Sequence, residues 1–143
     1  MTVKAILTTK GAEVFTIEPT ATLETAIDVL GDLNIGALVV LGPGRRVIGV
    51  VSERDVVRAL AKRGAATLKE PLSNVMTRKV ETCTADETVG SIMERMTRGK
   101  FRHVPVVEQD RLMGIVSIGD VVKHRLHEME RDAEALRDYI RTA

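Results

Sequence analysis

The sequence GVVSERDVV spans residues 49–57, and a near copy, GIVSIGDVV, spans residues 114–122. Each copy has a glycine, two apolar residues, a serine and, three residues after the serine, an aspartate. One phrase found twice in 143 residues indicates an internal repeat, which has to be recognised before single motifs are interpreted. We interpret Gly49 and Gly114 as positions where neighbouring elements approach closely.

The match between the two halves extends well beyond this phrase. With an offset of 66, residues 22–41 align with residues 88–107, and a one-residue deletion in the next turn changes the offset to 65. The front ends match too, since VKAILT at residues 3–8 resembles LSNVMT at residues 72–77. Because the same elements recur in the same order, we interpret the chain as one structural unit present twice.

Each half carries the sequence pattern β-α-β-β-α. The predicted strands lie at residues 14–17, 37–41 and 47–51 in the first half and at residues 80–83, 104–107 and 112–116 in the second. The first helix of each half has apolar residues at i, i+3, i+4 and i+7, and Thr22 or Thr88 stands in position to cap it. The closing helices begin near Glu53 and near Ile118. We therefore predict an α+β fold in which two repeats pack about a pseudo-twofold axis, with a C-terminal helix attached.

Composition argues against several classes of partner. Lys and Arg number 21 against 20 for Asp and Glu, so the net charge of +1 provides no general attraction to nucleic acid or to an anionic membrane. Two Phe, one Tyr and no Trp argue against stacking platforms for single-stranded nucleic acid. The single cysteine, Cys83, suits a reducing compartment, and no apolar run approaches the ~20 residues that cross a bilayer. We expect a soluble, cytoplasmic protein.

The repeated Ser-x-x-Asp has two interpretations. It stands where a strand gives way to a helix, so Ser52 with Asp55, and Ser117 with Asp120, have the spacing of a capping box. The functional interpretation uses the same position, because a helix N-terminus is a seat for phosphate and the carboxylate can accept both hydroxyls of a ribose. The residues alone leave both interpretations open.

Taken together, these features resemble the CBS domain, and their tandem arrangement resembles the pair of CBS domains called a Bateman module. The resemblance covers residues 1–125 and rests on the paired phrases, on the openings VFTIEP at 14–19 and VETCT at 80–84, and on RHVPV at 102–106. It implies a regulatory, non-enzymatic module that requires no cofactor. Such a module binds adenosine-containing ligands such as AMP, ADP, ATP, NAD(H) or S-adenosyl compounds in clefts between the repeats, with Ser-x-x-Asp holding ribose and phosphate.

The resemblance implies a main site built on Asp120, which would hold the ribose hydroxyls, and on Ser117 near the sugar or phosphate. Arg102 and His103 would face the phosphates, and Lys10 would add a further cation. The other residues assigned to this site are Phe15, Thr16, Ile17, Ile35, Gly36, Ala37 and Pro105. The alternatives are a solvated arginine, a core histidine and a proline that only protects a sheet edge.

The second site would have fewer cations. Its residues are Ser52, Arg54, Asp55, Thr82, Cys83 and Phe101. Gly36 and Ala37 stand where the second repeat has its Arg-His pair, so two expected phosphate ligands are missing. Arg54 is a candidate substitute, whereas Glu53 and Glu81 would oppose a polyphosphate. Because a charge-assisted hydrogen bond is worth roughly 1.5–3 kcal/mol, we rank the other site first.

The C-terminal segment suggests a partner. We place the first repeat at residues 1–66, the second at residues 67–125 and an amphipathic helix at residues 126–143. Apolar residues of this helix step by 3, 4, 3 and 4, the pattern of a coiled-coil seam: Leu126, Met129, Ala133, Leu136 and Ile140. The resemblance favours a homodimer, and the alternative is a helix that packs back on its own chain.

Three function classes remain open from the sequence. A sensor of adenine nucleotides would act on an unknown regulated protein, a scaffold would have vestigial pockets, and an enzyme would use His103 as acid or base. No nucleophile–base–orienter trio and no phosphate-loop lysine is recognisable in the sequence, which favours the sensor. His124 and His127 have i, i+3 spacing but no companion ligands, so we expect no metal site, and Cys83 is also interpretable as a small core residue.

Overall fold

The computed structural model describes residues 1–11 and 13–142, and these contain five α-helices and five strands. The helices are α1 Val3–Lys10, α2 Leu23–Leu33, α3 Glu53–Arg63, α4 Val89–Gly99 and α5 Ile118–Thr142. The strands are β1 Thr16–Ile17, β2 Ala37–Leu41, β3 Val47–Ser52, β4 His103–Glu108 and β5 Arg111–Ser117. Ala12 and Ala143, the last residue of the predicted C-terminal segment, lie outside the described residues. The predicted α+β fold with two repeats and a C-terminal helix is confirmed.

The strands of each half form their own small sheet. In the first half β2 and β3 form an antiparallel hairpin, and β1 pairs with β2 in parallel, with Thr16 opposite Val39. In the second half β4 and β5 form the matching hairpin, with His103 opposite Ser117. Both predicted hairpins are therefore confirmed.

The first strand of each half is shorter than the sequence predicts. In the first half only Thr16–Ile17 is a strand, and in the second half the predicted strand reduces to one parallel bridge between Cys83 and Val106. The difference between the halves has a chemical cause. The Val39 amide donates to the Phe15 carbonyl at 3.3 Å, whereas the equivalent residue of the second half is Pro105, which has no N–H to donate.

Threonine hydroxyls cap α2 and α4, as the sequence predicts. The Thr22 hydroxyl oxygen accepts from the Thr25 amide at 3.2 Å, and the Thr88 hydroxyl oxygen accepts from the Ser91 amide at 3.1 Å. Each cap satisfies one of the amides that a helix leaves without an intrahelical partner.

Each half has its own hydrophobic core. Each core also contains residues from the short segment that begins the other repeat. The first core joins α2, β2, β3 and α3 with Leu72 and Met76, which follow the first repeat. The second core joins α4, β4, β5 and α5 with Val3 and Ile6 of α1, which lie at the start of the first repeat. The two short segments therefore cross: α1 packs on the second half, and the segment Leu72–Thr77 packs on the first.

The glycines of the repeated phrase are where these crossing segments approach the sheets. A Cβ at Gly49 would lie 2.5 Å from the Met76 sulfur, and a Cβ at Gly114 would lie 2.9 Å from a methyl carbon of Leu7. Both approaches are too close for a side chain at either position. The interpretation of these glycines as positions of close packing is confirmed.

Helix α5 runs without a break from the second repeat into the C-terminal segment. Its first turns contact α1, α4 and β5, while residues 129–142 are all exposed. Within the described residues, this segment therefore does not pack back on its own chain. In the described part of the chain, no helix has the length and apolar character needed to cross a membrane.

Candidate functional site

The start of α5 is the junction where the second copy of the repeated phrase lies. The Ser117 amide and hydroxyl donate to Oδ2 of Asp120 at 2.8 and 2.9 Å, and the Asp120 amide donates to the Ser117 hydroxyl oxygen at 3.2 Å. This is a capping box, so the local interpretation of the phrase is confirmed. Oδ1 of Asp120 receives no hydrogen bond from the described residues, which leaves one carboxylate oxygen for a ligand.

A cation from the far end of the chain completes this junction. Nζ of Lys10, the last residue of α1, donates to Oδ2 of Asp120 at 2.7 Å and to the Ile115 carbonyl at 3.0 Å. The lysine and aspartate side chains are 30% and 22% exposed, so the ion pair is accessible from solvent but largely shielded. The structure thus brings together Lys10, Ser117 and Asp120.

The two halves of the chain meet beside this junction, where His103 lies against Gly36. The nearest imidazole atom is 3.4 Å from the place that a Cβ at Gly36 would occupy, which is van der Waals contact between the two halves. Arg102, which precedes His103, has an exposed side chain, and its carbonyl accepts from the first amide of α5 at 2.8 Å. Residues from both repeats therefore meet at this junction.

Burial and neighbouring charges at this junction shift two pKa values. Burial lowers the pKa of the His103 imidazole, and the carboxylates of Asp120 and Glu53 oppose that effect without reversing it, while Lys10 and Arg102 add to it. Burial by itself would raise the pKa of the Asp120 carboxyl, but hydrogen bonds from Lys10 and Ser117 outweigh it and hold that pKa below its usual range. The junction therefore contains a neutral histidine and an ionised aspartate near neutral pH.

The remaining residues assigned to the main site lie at different depths. Phe15 and Thr16 are exposed, Ile17 and Ile35 are half-buried against the first core, and Ala37 and Pro105 are buried. Pro105 does not protect a free edge, because it pairs with Ile115 on one side and accepts from the Cys83 amide at 3.0 Å on the other. The contact of each of these residues with a ligand stays a prediction.

The equivalent junction at the start of α3 is closed by the protein itself. Ser52 and Asp55 form the same capping box, with the Ser52 amide donating to Oδ2 of Asp55 at 2.8 Å. Here the hydroxyl of Thr77 donates to Oδ1 at 2.9 Å, so both carboxylate oxygens already accept hydrogen bonds. Within residues 1–11 and 13–142, no lysine or arginine forms an ion pair with Asp55 as Lys10 does with Asp120.

The other residues assigned to the second site take part in contacts within the protein. Arg54 donates to the Lys100 carbonyl at 3.2 Å, which links α3 to the end of α4. Phe101 is half-buried, packs on the second core and lies against Gly99. The side chain of Cys83 lies in that core, where burial above all, together with the charge of Glu87, raises the pKa of the thiol to about 12.

Arg95 changes the electrostatics that the sequence predicts for the second site. Its guanidinium lies 2.9 Å from carboxylate oxygens of both Glu81 and Glu87 and donates to the Thr82 carbonyl at 2.7 Å. The charge of Glu81 is therefore balanced by Arg95, so it opposes an anion less than the sequence suggests. The first repeat has Val29 at the equivalent position, so the repeat pattern gave no signal for this contact.

Sequence reasoning also missed Thr77 and the approach of Glu53 to His103. Thr77 aligns with Thr8 of the front-end repeat, and that alignment was the available signal for a role near the carboxylate. Across residues 1–11 and 13–142, no three His, Cys, Asp or Glu side chains are grouped so as to hold a metal ion. His124 instead contacts the sulfur of Met1.

The comparison with known families agrees with the doubled architecture. The family model for the CBS domain matches residues 3–62 and again residues 72–127. The chain therefore belongs to the CBS-domain family. It contains the two copies that form a CBS domain pair, which is a regulatory module.

Solved structures and relatives support this assignment. The CBS-domain containing protein ATU1752 from Agrobacterium tumefaciens is 46% identical with a TM-score of 0.84, and the match covers 87% of this chain and 99% of that one. The CBS domain pair of protein MJ0100, solved in complex with 5′-methylthioadenosine and S-adenosyl-L-methionine, is 26% identical with a TM-score of 0.79 and coverages of 90% and 98%. The Arabidopsis thaliana protein named CBS domain-containing protein CBSX3, mitochondrial is 34% identical over 123 residues. That match covers 83% of this chain and spans 60% of the length of the relative.

Proposed function

We propose that this protein is a non-enzymatic sensor that binds an adenosine-containing ligand, such as AMP, ADP, ATP or NAD(H), between its two repeats. The observation that carries the proposal is the junction at Asp120, where the two repeats meet and a carboxylate lies beside a lysine, with one oxygen that accepts no hydrogen bond from the described residues. The complex of MJ0100 with two adenosine derivatives supports the ligand class, because that chain has the same fold.

Each group at the main site has a role that fits such a ligand. A ribose presents two hydroxyl donors, and Asp120 offers acceptors with an ionised charge, which strengthens both hydrogen bonds. A phosphate presents anionic oxygens, and the Lys10 ammonium is within reach of the same carboxylate. We propose that the phosphate draws Lys10 away from Asp120. The phosphate then binds Lys10, and the ribose binds Asp120.

The Asp55 junction supports only a weaker site. Thr77 already occupies the carboxylate oxygen that is open in Asp120, so a ribose would have to displace a hydroxyl held at 2.9 Å. Arg54, the candidate phosphate ligand there, donates to the Lys100 carbonyl instead. We therefore propose that the Asp120 site fills first and that the Asp55 site stays empty or takes a less charged ligand.

Calorimetry with AMP, ADP, ATP, NADH and adenosine tests the proposal. We expect at least one of these ligands to bind with a stoichiometry of about one, and Asp120→Ala to abolish most of that binding. Because Asp120 also caps α5, Asp120→Asn serves as a second variant, since its amide oxygen still accepts from the Ser117 amide. Asp55→Ala is the matched control at the equivalent junction and should have the smaller effect.

Failure of every ligand in this panel would favour the second function class, a scaffold with vestigial pockets. Thermal unfolding in the presence of ligand gives an independent readout, since a ligand at 100 times its dissociation constant stabilises the protein by roughly 2.7 kcal/mol. Equal losses in the Asp120 and Asp55 variants would overturn the ranking of the two sites.

We also propose that the protein is a cytoplasmic homodimer that regulates another polypeptide. The exposed apolar stripe of α5 supports dimerisation, because water-exposed apolar side chains in a row gain by being covered. Leu136→Glu places a charge in that stripe, so we expect it to shift the sedimentation coefficient towards that of a monomer. A buried, protonated thiol at Cys83 is consistent with any compartment that is reducing, such as the cytoplasm.

A further inference from the structure

The C-terminal part of α5 has an apolar face that nothing in the described chain covers. Its large apolar residues are between 45% and 65% exposed: Val122, Leu126, Met129, Leu136 and Ile140. They fall on heptad positions a and d, and Gly119 and Ala133 complete the series at position a. The stripe is thus three heptads long, about 33 Å at 1.5 Å per residue, and begins in a groove along α5 beside Ile118.

Along this segment, opposite charges spaced i, i+3, such as Arg125 and Glu128, are offset by like charges spaced i, i+4. Four pairs of like charge are spaced i, i+4 along it: Glu128–Asp132, Glu130–Glu134, Glu134–Asp138 and Arg137–Arg141. Such pairs destabilise an isolated helix. Helices of this length depend mainly on packing of an amphipathic face, so the segment requires a partner along its stripe.

The charges that flank the stripe identify that partner as a second copy of the same chain in parallel orientation. In a parallel coiled coil, a residue at position g lies beside position e of the next heptad of the partner helix. Arg125 at g would face Glu130 of the other copy, and Asp132 at g would face Arg137 of the other copy. Both pairings join opposite charges, and symmetry makes each of them occur twice.

The antiparallel alternative gives the opposite result when the stripes overlap over their full length. Leu126 of one copy would then lie opposite Leu136 of the other, which places Glu130 beside Glu130 and Asp132 beside Asp132. Lys123 would lie beside Arg137. Every charged pair in that arrangement is repulsive, so the flanking charges discriminate between the two orientations.

Most of these flanking charges are available for contacts between copies. Glu130, Asp132 and Arg137 take part in none of the ion pairs found among residues 1–11 and 13–142, whereas Arg125 pairs with Glu128 of its own helix at 3.0 Å. The Asp132–Arg137 contact is therefore the sharper one to test. We propose that two copies of this chain associate through residues 119–140 of α5 as a parallel, in-register coiled coil. This inference rests on the homodimer proposed above and adds its orientation and register.

Charge reversal at Arg137 distinguishes the two orientations. In the parallel coiled coil, Arg137→Glu turns two attractive pairs into repulsive ones and should weaken dimerisation about tenfold, or about 1.4 kcal/mol, in sedimentation equilibrium. Adding Asp132→Arg to the same chain should restore the dimer. Arg131→Glu is the matched control, because it makes the same charge change at position f, on the outer face, and should leave the dimer unchanged.

Disulfide trapping gives an independent readout of the orientation. With Ile140→Cys the two introduced thiols would meet in a parallel dimer, whereas the full antiparallel overlap separates them by about 27 Å. Asp138→Cys, at position f, is the control that should not cross-link, and the native Cys83 is buried and unreactive. We expect Ile140→Cys to cross-link and Asp138→Cys not to. We also expect the variant with both Arg137→Glu and Asp132→Arg to recover the dimer.

Two outcomes would overturn the inference in different ways. A dimer that Arg137→Glu tightens, or that Ile140→Cys fails to trap, would refute the parallel arrangement while the homodimer stands. A wild-type protein that remains monomeric at high concentration would refute the homodimer as well, and would assign the stripe to a different protein. Neither outcome bears on ligand binding at Asp120, which calorimetry tests separately.

Discussion

Replacing Lys10 by methionine should change the affinities for AMP and for adenosine in opposite directions. In the ligand-free protein Lys10 and Asp120 form an ion pair at 2.7 Å, with side chains 30% and 22% exposed. An ion pair with this degree of exposure is worth about 1 kcal/mol. Adenosine has no phosphate to offer Lys10, so a ribose that takes both carboxylate oxygens of Asp120 breaks the pair without replacing it, and Lys10→Met removes that cost.

The magnitudes follow from the same contact. Adenosine should bind about fivefold more tightly to Lys10→Met, which corresponds to about 1 kcal/mol. AMP gains the same amount but loses a hydrogen bond between a cation and its phosphate, worth roughly 1.5–3 kcal/mol, so its net affinity should fall. The preference for AMP over adenosine should therefore drop by about 10- to 150-fold.

Isothermal titration calorimetry of both ligands against both proteins measures this ratio directly. Lys79→Met is the matched control, because Lys79 follows Thr77 as Lys10 follows Thr8, is exposed and forms no ion pair found in the described chain. An unchanged ratio of the two affinities would show that Lys10 stabilises Asp120 without reading the phosphate. Tighter AMP binding in Lys10→Met would refute the proposed exchange of partners altogether.

Three further outcomes are expected. Double replacement of Arg102 and His103 by alanine should weaken the binding of AMP at least tenfold more than the binding of adenosine. Burial lowers the pKa of His103, and a bound phosphate would raise it. The affinity of the wild type for AMP should therefore fall as the pH rises from the pKa of the free state to that of the bound state and level off above it, while the affinity for adenosine stays unchanged. Leu72→Ala should reduce the free energy of unfolding by about 2–5 kcal/mol in urea titrations, although Leu72 lies outside the first repeat unit, because its side chain is fully buried in the first core. Cys83 should react with a thiol reagent only after the second core opens, since its thiol is buried and its pKa is raised to about 12; rapid modification of the folded protein would contradict this.

The sequence predicts the features of the fold that depend on neighbouring residues. Helix caps at Thr22 and Thr88 follow from hydroxyl chemistry one turn away, and the hairpins follow from apolar runs separated by turn residues. The repeat strengthens these predictions because each half predicts the other. The first strand of the second half fails as a prediction for a local reason that was present in the sequence: Pro105 lacks the donor that Val39 supplies in the first half.

The features that the sequence does not predict depend on residues far apart in the chain. The contact between Lys10 and Asp120 joins residues 110 positions apart, and the difference between the two junctions depends on Thr77 reaching Asp55. Their partners are fixed by how α1 and the segment Leu72–Thr77 cross between the halves, which periodicity along the chain does not encode. The Ser-x-x-Asp phrases were identifiable, but what already occupies each carboxylate was not.

The crossing segments determine how this chain can be divided. Residues 13–77 contain every member of the first core in one continuous stretch, whereas the second core needs residues from 79 onward together with Val3 and Ile6. Cutting the chain at the midpoint of its repeat would therefore leave two fragments, each without part of its own interior. A circular permutant that begins near residue 79 and joins the end of α5 to Met1 through a long linker would instead make both cores continuous. In such a permutant Lys10 would still reach Asp120, and Thr77, which pairs with Val50 through two backbone hydrogen bonds, would hold Asp55 from a position beside a free chain end.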